Sequence, residues 1–295
     1  MRLNGIIIKG IGGFYYVEAA EELFECKARG LFRNTNRKPL PGDNVVIAVS
    51  EGRENTIDEI LPRRSLLSRP PIANIDRLFI VVSVDEPKPN TYMVDKMAAI
   101  ACRQGIEPVF IFTKIDLCDS EFPAGIYEKA GYEVHTISCV TNKGIEKLKT
   151  AFQGHISALA GNSGVGKSTL LNYIDTALNL ETGNISEKLG RGRHTTRYTQ
   201  LYKAAGGYIA DTPGFGTVGF EEAGGITKED LPFCFKEFKP FLGSCRFASC
   251  AHILDKGCSI TQAVESGQIA ESRHASYAAM YRELNARKDW DSKNG

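Results

Sequence analysis

The octapeptide GNSGVGKS, from Gly161 to Ser168, constrains this chain more than any other stretch. It has the spacing G-x-x-x-x-G-K-[ST]. An apolar run, HISALAG, precedes it and reads as a strand; TLLNYI follows it and reads as a helix. A strand–loop–helix unit of this kind sits in a mostly parallel sheet covered by helices. Its glycines let the backbone N–H groups of Gly161, Asn162, Ser163, Gly164, Val165 and Gly166 turn inward around phosphate oxygens. The start of the following helix adds unpaired donors. Lys167 is placed to meet β- and γ-phosphates, and Ser168 to ligate Mg²⁺.

The surroundings agree with that demand. RLFIVVSVD, PVFIF, YEVHTIS and GGYIA read as strands, and helical stretches fall at 92–103 and near 121–130 and 143–152. Strands alternating with helices indicate a doubly covered parallel sheet whose functional residues lie at the strand ends. Before it, LLSRPPIANI at 66–75 reads as a linker, because Pro70 and Pro71 discourage regular structure. Residues 1–65 hold short apolar runs broken by Gly, Asn and Pro, which a small β-barrel of the oligonucleotide-binding type (OB-fold) satisfies economically. Arg29, Arg33, Arg37 and Lys38 lie around Phe32. That is either a basic, partly aromatic nucleic-acid surface or a solvated loop over one core Phe. From about residue 220 the strand pattern ends, and 259–287 reads as helical. The expected organisation is therefore a barrel at 1–65, an α/β domain at 66–220 and a small helical domain at 221–295, with no internal repeat.

Composition excludes some classes. The chain has 295 residues and a formal charge of +1, so no global field argues for nucleic acid. No apolar run reaches the roughly 18 residues of a membrane span. The glycine-rich start does not resemble a signal peptide, and the chain reads as cytoplasmic. Of its eight cysteines, Cys245, Cys250 and Cys258 cluster with His252. Three thiolates and an imidazole at short spacing suit one tetrahedral Zn²⁺ in a reducing compartment. Four protein ligands leave no open position, so the ion is expected to be structural. His135, His155 and His274 read as ordinary core or surface residues.

Four further strings sit where a nucleotide would need them. Asp211-Thr212-Pro213-Gly214 follows GGYIA; the carboxylate can hold Mg²⁺ through water, and Gly214 can offer its N–H to a γ-phosphate. Between it and the phosphate loop, the basic stretch 190–197 carries Thr195 and Thr196, either of which could complete the Mg²⁺ shell. Thr113-Lys114-Ile115-Asp116 ends PVFIF. Asp116 can accept the N1–H and N2–H₂ of guanine, and the Lys114 stem can pack over the base. Ser138-Cys139, after the next strand, can support the base. Each string is weak alone; the placement of the last two on successive strand ends raises them together.

In this order (base, base support, phosphate loop, threonine loop, D-x-x-G) the motifs resemble those of translation-type GTPases after a circular permutation. With a leading barrel and a trailing Cys/His cluster, the chain resembles the RsgA family of ribosome-dependent GTPases. G-N-S-G-V-G-K-S-T, G-R-G-R-H-T-T, D-T-P-G-F and R-P-P-I-A-N-I-D at 69–76 carry the likeness. It implies GTP hydrolysis with Mg²⁺, coupled to late maturation of the small (30S) ribosomal subunit and stimulated by that subunit. The implied partners are the subunit with its 16S rRNA and a guanine nucleotide; no membrane is expected, and the chain is expected to be monomeric. By position, Lys114 and Asp116 resemble the guanine-reading pair, Ser138 and Cys139 the base-supporting loop, and Gly161 to Thr169 the phosphate loop. Thr195, Thr196 and Asp211 to Gly214 resemble the two switches, with Ser168 and Thr196 at Mg²⁺, and Cys245, Cys250, His252 and Cys258 resemble the zinc ligands. Two departures stand out. Thr113 replaces the usual Asn, and Asp255-Lys256-Gly257-Cys258 replaces a Glu-Pro-Gly-Cys run. Phe215 stands where many GTPases carry a water-orienting Gln, which leaves the loop residue His194 as the candidate to polarise water beside Lys167. Two other readings remain: a different P-loop enzyme such as an ATPase or nucleotide kinase, against which Asp116 argues, and an RNA-binding scaffold that uses GTP as a passive switch.

Overall fold

The computed structural model describes residues 1–30, 32, 38–50, 52–68, 70–117, 123–175, 199–210 and 225–294, with side chains up to 286. Five strands open the chain: β1 (Arg2–Ile11), β2 (Phe14–Ala19), β3 (Glu22–Ala28), β4 (Asn44–Ala48) and β5 (Asn55–Ile60). They close into a barrel in the order β1-β2-β3-β5-β4. Only β3 and β5 pair in parallel; the β1–β4 pair completes the ring. Alternating side chains such as Ile7, Val17, Val45, Ile47 and Ile57 fill the interior. Phe32 belongs to this core and not to a stacking surface, and Arg29 pairs with Asp58 at 2.8 Å. Arg33 and Arg37 lie outside the described residues.

The expected linker is a short hairpin, β6 (Leu66–Ser68) and β7 (Pro71–Ala73). Pro71 opens β7, a position on a short edge strand where a missing N–H costs little. The turn after it is clamped to the barrel. Asn74 donates to Gly42 O at 2.9 Å and accepts from the Arg64 N–H at 2.8 Å. Gly42, at φ +86°, is required there: a Cβ would stand 2.0 Å from the Ala73 carbonyl oxygen.

A six-stranded sheet follows, in the order β10-β9-β8-β11-β13-β12. Its members are β8 (Arg77–Ser83), β9 (Glu107–Thr113), β10 (Glu133–Thr136), β11 (Ile156–Ala160), β12 (Leu201–Ala204) and β13 (Gly207–Ala210). All neighbours are parallel except the β12–β13 hairpin at one edge. The helices are α1 (Thr91–Arg103), α2 (Ala124–Lys129), α3 (Ile145–Thr150) and α4 (Lys167–Ile174). Strand alternation separates the two faces. Leu78, Ile80, Val82, Phe110 and Phe112 pack with Val94, Met97 and Ala98 of α1; Phe79, Val81, Val109 and Ile111 pack with Leu148 of α3 and Leu170 and Leu171 of α4.

The C-terminal region holds 3₁₀ turns at Leu231–Cys234 and Lys236–Phe241, then α5 (Ser259–Glu265) and α6 (Glu271–Asn294). Its apolar residues Phe235, Phe238, Tyr277 and Met280 join the same cluster as α1. Arg273 of α6, 2% exposed, fixes the contact. Its guanidinium meets Asp95 of α1 at 2.5 Å and Glu237 at 2.7 Å, and lies 4.6 Å from the Phe235 ring centroid. No helix among the described residues is long and apolar enough to cross a membrane.

Candidate nucleotide site and metal cluster

β11 is buried along its whole length between β8 and β13, so the loop after it emerges at the carboxyl edge of the sheet centre. Gly161 turns the chain there at φ +140°, with room for no side chain: a Cβ would stand 2.3 Å from Val81 O. Gly164 and Gly166 also take positive φ, at +81° and +95°, and Gly166 caps α4. Lys167 therefore begins α4 and folds over the loop. Its ammonium donates to the carbonyls of Gly161 at 2.7 Å and Asn162 at 2.6 Å. Burial lowers its pKa below the usual lysine value. A polyphosphate entering the loop would offer this ammonium a stronger acceptor than two carbonyls. The Ser168 hydroxyl is buried in the first turn of α4 beside the loop, and Thr169 follows it on the same helix.

The base motif lies two strands away, at the end of β9. Thr113 is buried, and its hydroxyl donates to Val165 O at 2.7 Å. It thus ties the base motif to the phosphate loop. Lys114 sits at φ +62°, and its ammonium donates to Glu86 O in the turn after β8. Asp116 is exposed on a one-turn 3₁₀ helix, Ile115–Leu117. The Ser138 N–H donates to Lys143 O at 3.1 Å and its hydroxyl accepts from the Thr141 N–H, which shapes the turn after β10. Cys139 is next in that turn; burial raises its thiol pKa and the charge of Asp116 raises it further. The two candidate base contacts therefore lie near enough for the charge of one to act on the other. His194, Thr195, Thr196, Asp211, Gly214 and Phe215 lie outside the described residues.

Two parts of this site were not read from the sequence. One is the 84–90 turn, whose Pro87 approaches Gly164 and whose Glu86 carbonyl holds Lys114. Its position at a strand end was the available signal. The other lies by the metal cluster: Ser259, adjacent to Cys258, hydrogen-bonds the Cys245 sulfur at 3.1 Å.

Cys245, Cys250, His252 and Cys258 converge, their four donor atoms lying within 4.8 Å of one another. Cys245 Sγ is 3.4 Å from His252 Nδ1 and 3.9 Å from Cys258 Sγ, and Cys258 Sγ is 3.6 Å from His252 Nδ1. His252 takes φ +59° to turn its ring inward. Burial lowers its pKa, which favours the neutral ring that a metal requires. α6 supports the cluster: His274 donates to His252 O at 2.7 Å and Tyr277 to Ala251 O at 2.9 Å. This donor set could hold one metal ion.

The strand order, the loop at β11 and the base motif on the preceding strands define a P-loop nucleotide-binding protein with circularly permuted motifs. Comparison with known proteins makes the class specific. Residues 60–221 match the RsgA GTPase family and residues 4–57 the RsgA N-terminal domain. A relative from Ruminiclostridium cellulolyticum named small ribosomal subunit biogenesis GTPase RsgA is 44% identical over 95% of this chain and 93% of its own. One of the same name from Caldanaerobacter subterraneus subsp. tengcongensis is 42% identical over 99% of each. The crystal structure of YjeQ from Thermotoga maritima superposes with a TM-score of 0.81 at 36% identity, covering 96% of this chain and 99% of that one. YloQ, a circularly permuted GTPase, gives 0.82 at 32%, covering 97% and 96%. The chain belongs to the RsgA GTPase family and is a GTP-hydrolysing enzyme.

Proposed function

We propose that this GTPase acts in biogenesis of the small ribosomal subunit, as its relatives are named for doing, and that subunit binding stimulates its turnover. The observation that carries the site reading is the hydroxyl of Thr113 on the Val165 carbonyl, which joins the base motif to the phosphate loop. Guanine would rest between Lys114 and Cys139, with Asp116 on its donor edge, and the phosphates would lie along Gly161 to Thr169. Lys167 would leave its two carbonyls for the β- and γ-oxygens and stabilise charge as water attacks in line. Mg²⁺, which the family implies, would neutralise the β- and γ-oxygens. The buried Ser168 hydroxyl fits its shell, and Thr196 and Asp211 are the proposed further contributors. His194 is proposed to orient the water, Thr195 and Gly214 to hold the γ-phosphate.

Zinc is the proposed ion of the Cys/His cluster. Bonds of about 2.3 Å to sulfur and 2.0 Å to nitrogen put tetrahedral S···S and S···N edges at about 3.8 and 3.5 Å, and the three separations among Cys245, His252 and Cys258 lie close to these. We also propose the division 1–65, 66–220 and 221–295, contact of the barrel with 16S rRNA, a cytoplasmic location and a monomeric state. The test is GTP turnover with and without purified small subunits. A several-fold rise on adding subunits is expected. Equal rates would remove the ribosomal coupling while leaving the GTPase intact. His194→Ala should keep nucleotide and subunit affinity and lose the stimulated rate; an unchanged stimulated rate would remove His194 from catalysis.

A further inference from the structure

Two thiols meet at the seam between α1 and the C-terminal region, away from the nucleotide site and the metal cluster. Cys102 lies in the last turn of α1 and is partly exposed; Cys234 closes the 231–234 turn and is 3% exposed. Both are free thiols. Cys102 Sγ stands 3.8 Å from the carbonyl oxygen of Phe233, the residue before Cys234. Cys234 Sγ stands 3.6 Å from Asp230 O, and each thiol, as a hydrogen-bonding group beside the other, is the largest influence on the other's proton affinity. Next to them, Arg103 pairs with Asp230 at 3.3 Å, which holds the two segments in register.

We propose that Cys102 and Cys234 form a peroxide-reactive dithiol, with Cys102 as the nucleophile and Cys234 as the resolving thiol of a disulfide across the seam. The surroundings divide the roles. The hydrogen bond from Cys234 brings the Cys102 thiol down to about 7 against the effect of burial, and the ammonium groups of Lys239 and Lys236 assist. The same hydrogen bond, burial and the charge of Cys102 push Cys234 well above the usual thiol value, so it keeps its proton. Arg103, Asp230, Lys236, Lys239 and Tyr132 are the charged and titratable groups that act on the pair.

The chemistry balances with hydrogen peroxide as oxidant. The Cys102 thiolate attacks one peroxide oxygen, the O–O bond breaks, and the departing hydroxide takes a proton to become water. Cys102 is then a sulfenic acid. The Cys234 sulfur attacks the Cys102 sulfur, the S–O bond breaks, and hydroxide leaves with the Cys234 proton as a second water. Two thiols lose two electrons, and one peroxide gains them. A low-molecular-weight thiol reverses the bond by exchange. The link would join the C-terminal end of α1 to the C-terminal region. Nearer the other end of α1, Met93, Val94 and Met97 line a small cavity behind Gly161, Asn162 and Val165.

The experiment uses the full-length, metal-loaded protein. It is treated with hydrogen peroxide, digested without reduction and mapped by mass spectrometry; iodoacetamide alkylation of Cys102 is followed against pH in parallel. A Cys102–Cys234 linked peptide, lost on adding dithiothreitol, is expected. Alkylation of Cys102 should reach half its limiting rate near pH 7 and shift upward by about one unit or more in Cys234→Ser, toward an ordinary thiol at about 8.5. The proposal fails if oxidation leaves Cys102 as sulfinic or sulfonic acid without a link to Cys234. It fails equally if links join only the cysteines of the metal cluster, or if the Cys102 profile is that of an ordinary thiol and ignores Cys234→Ser.

Discussion

Thr113 shows what a single residue decides here. Its hydroxyl spans from the end of β9 to the phosphate loop at 2.7 Å, a bond that no local pattern announces because its partner is 52 residues along the chain. The motif string was readable; the brace was not. Thr113→Val keeps the volume and leaves the Val165 carbonyl without this donor, at a cost of about 1–3 kcal/mol. GTP and GDP affinity should fall together by roughly 5- to 150-fold, measured with a fluorescent guanine nucleotide, and Thr113→Ser should restore most of it. Affinity equal to wild type in the Val variant would mean that the loop holds its shape unaided. Arg273 is a second case. A charged residue in a helical stretch reads from sequence as a solvated face, yet this one is buried between Asp95 and Glu237. Arg273→Met would leave two buried carboxylates without their cation and should cost about 3–5 kcal/mol in urea unfolding. A loss under about 1 kcal/mol would show that the acids escape to solvent or take up protons at no cost.

At the scale of elements, periodicity made most of the sheet and its helices legible. α1 and the buried strands β8, β9 and β11 have apolar patterns long enough to identify themselves. The β6–β7 hairpin and β12 escaped because they are three or four residues long and set by partners distant in sequence. The phosphate loop was legible for a different reason: its glycines are demanded by geometry. Gly161 is the sharpest case, with a Cβ placed 2.3 Å from the Val81 carbonyl of the neighbouring strand. Gly161→Ala must therefore displace backbone and not a side chain. Nucleotide binding should become undetectable and the melting temperature should fall. Gly154→Ala, where φ is +72° but no atom lies within 4 Å, should bind nucleotide normally at a backbone cost near ~1 kcal/mol. Equal behaviour of the two variants would show that backbone strain alone, and not the close approach, governs Gly161.

At the scale of the molecule, the C-terminal region is less independent than its sequence suggests. Cluster spacing picked out the four side chains that converge, but it says nothing about what lies against them. Phe235, Phe238 and Tyr277 share a core with α1, while His274 and Tyr277 bond the backbone at His252 and Ala251. One helix, α6, thus carries both the contacts to the metal cluster and, through Arg273, the contact to α1. Removing the metal should then do more than loosen a surface knot. Without the ion, three thiols and a ring are left crowded together, and metal binding of this kind supplies folding free energy directly. A strong chelator should lower the melting temperature by about 6 °C or more, the shift that a loss of ~4 kcal/mol gives in a chain of this size. Hydrogen exchange should rise first in α5 and the first turns of α6, then in α1. Cys258→Ser should reproduce the effect without chelator. Nucleotide affinity should change much less, because the phosphate loop packs on the opposite side of the sheet centre through Leu170 and Leu171. An apo protein that melts at the same temperature as the metal-bound form would separate the cluster from stability. Exchange confined to 245–258, with α1 still protected, would instead show that Arg273 and the shared aromatic core hold α6 in place without help from the ion.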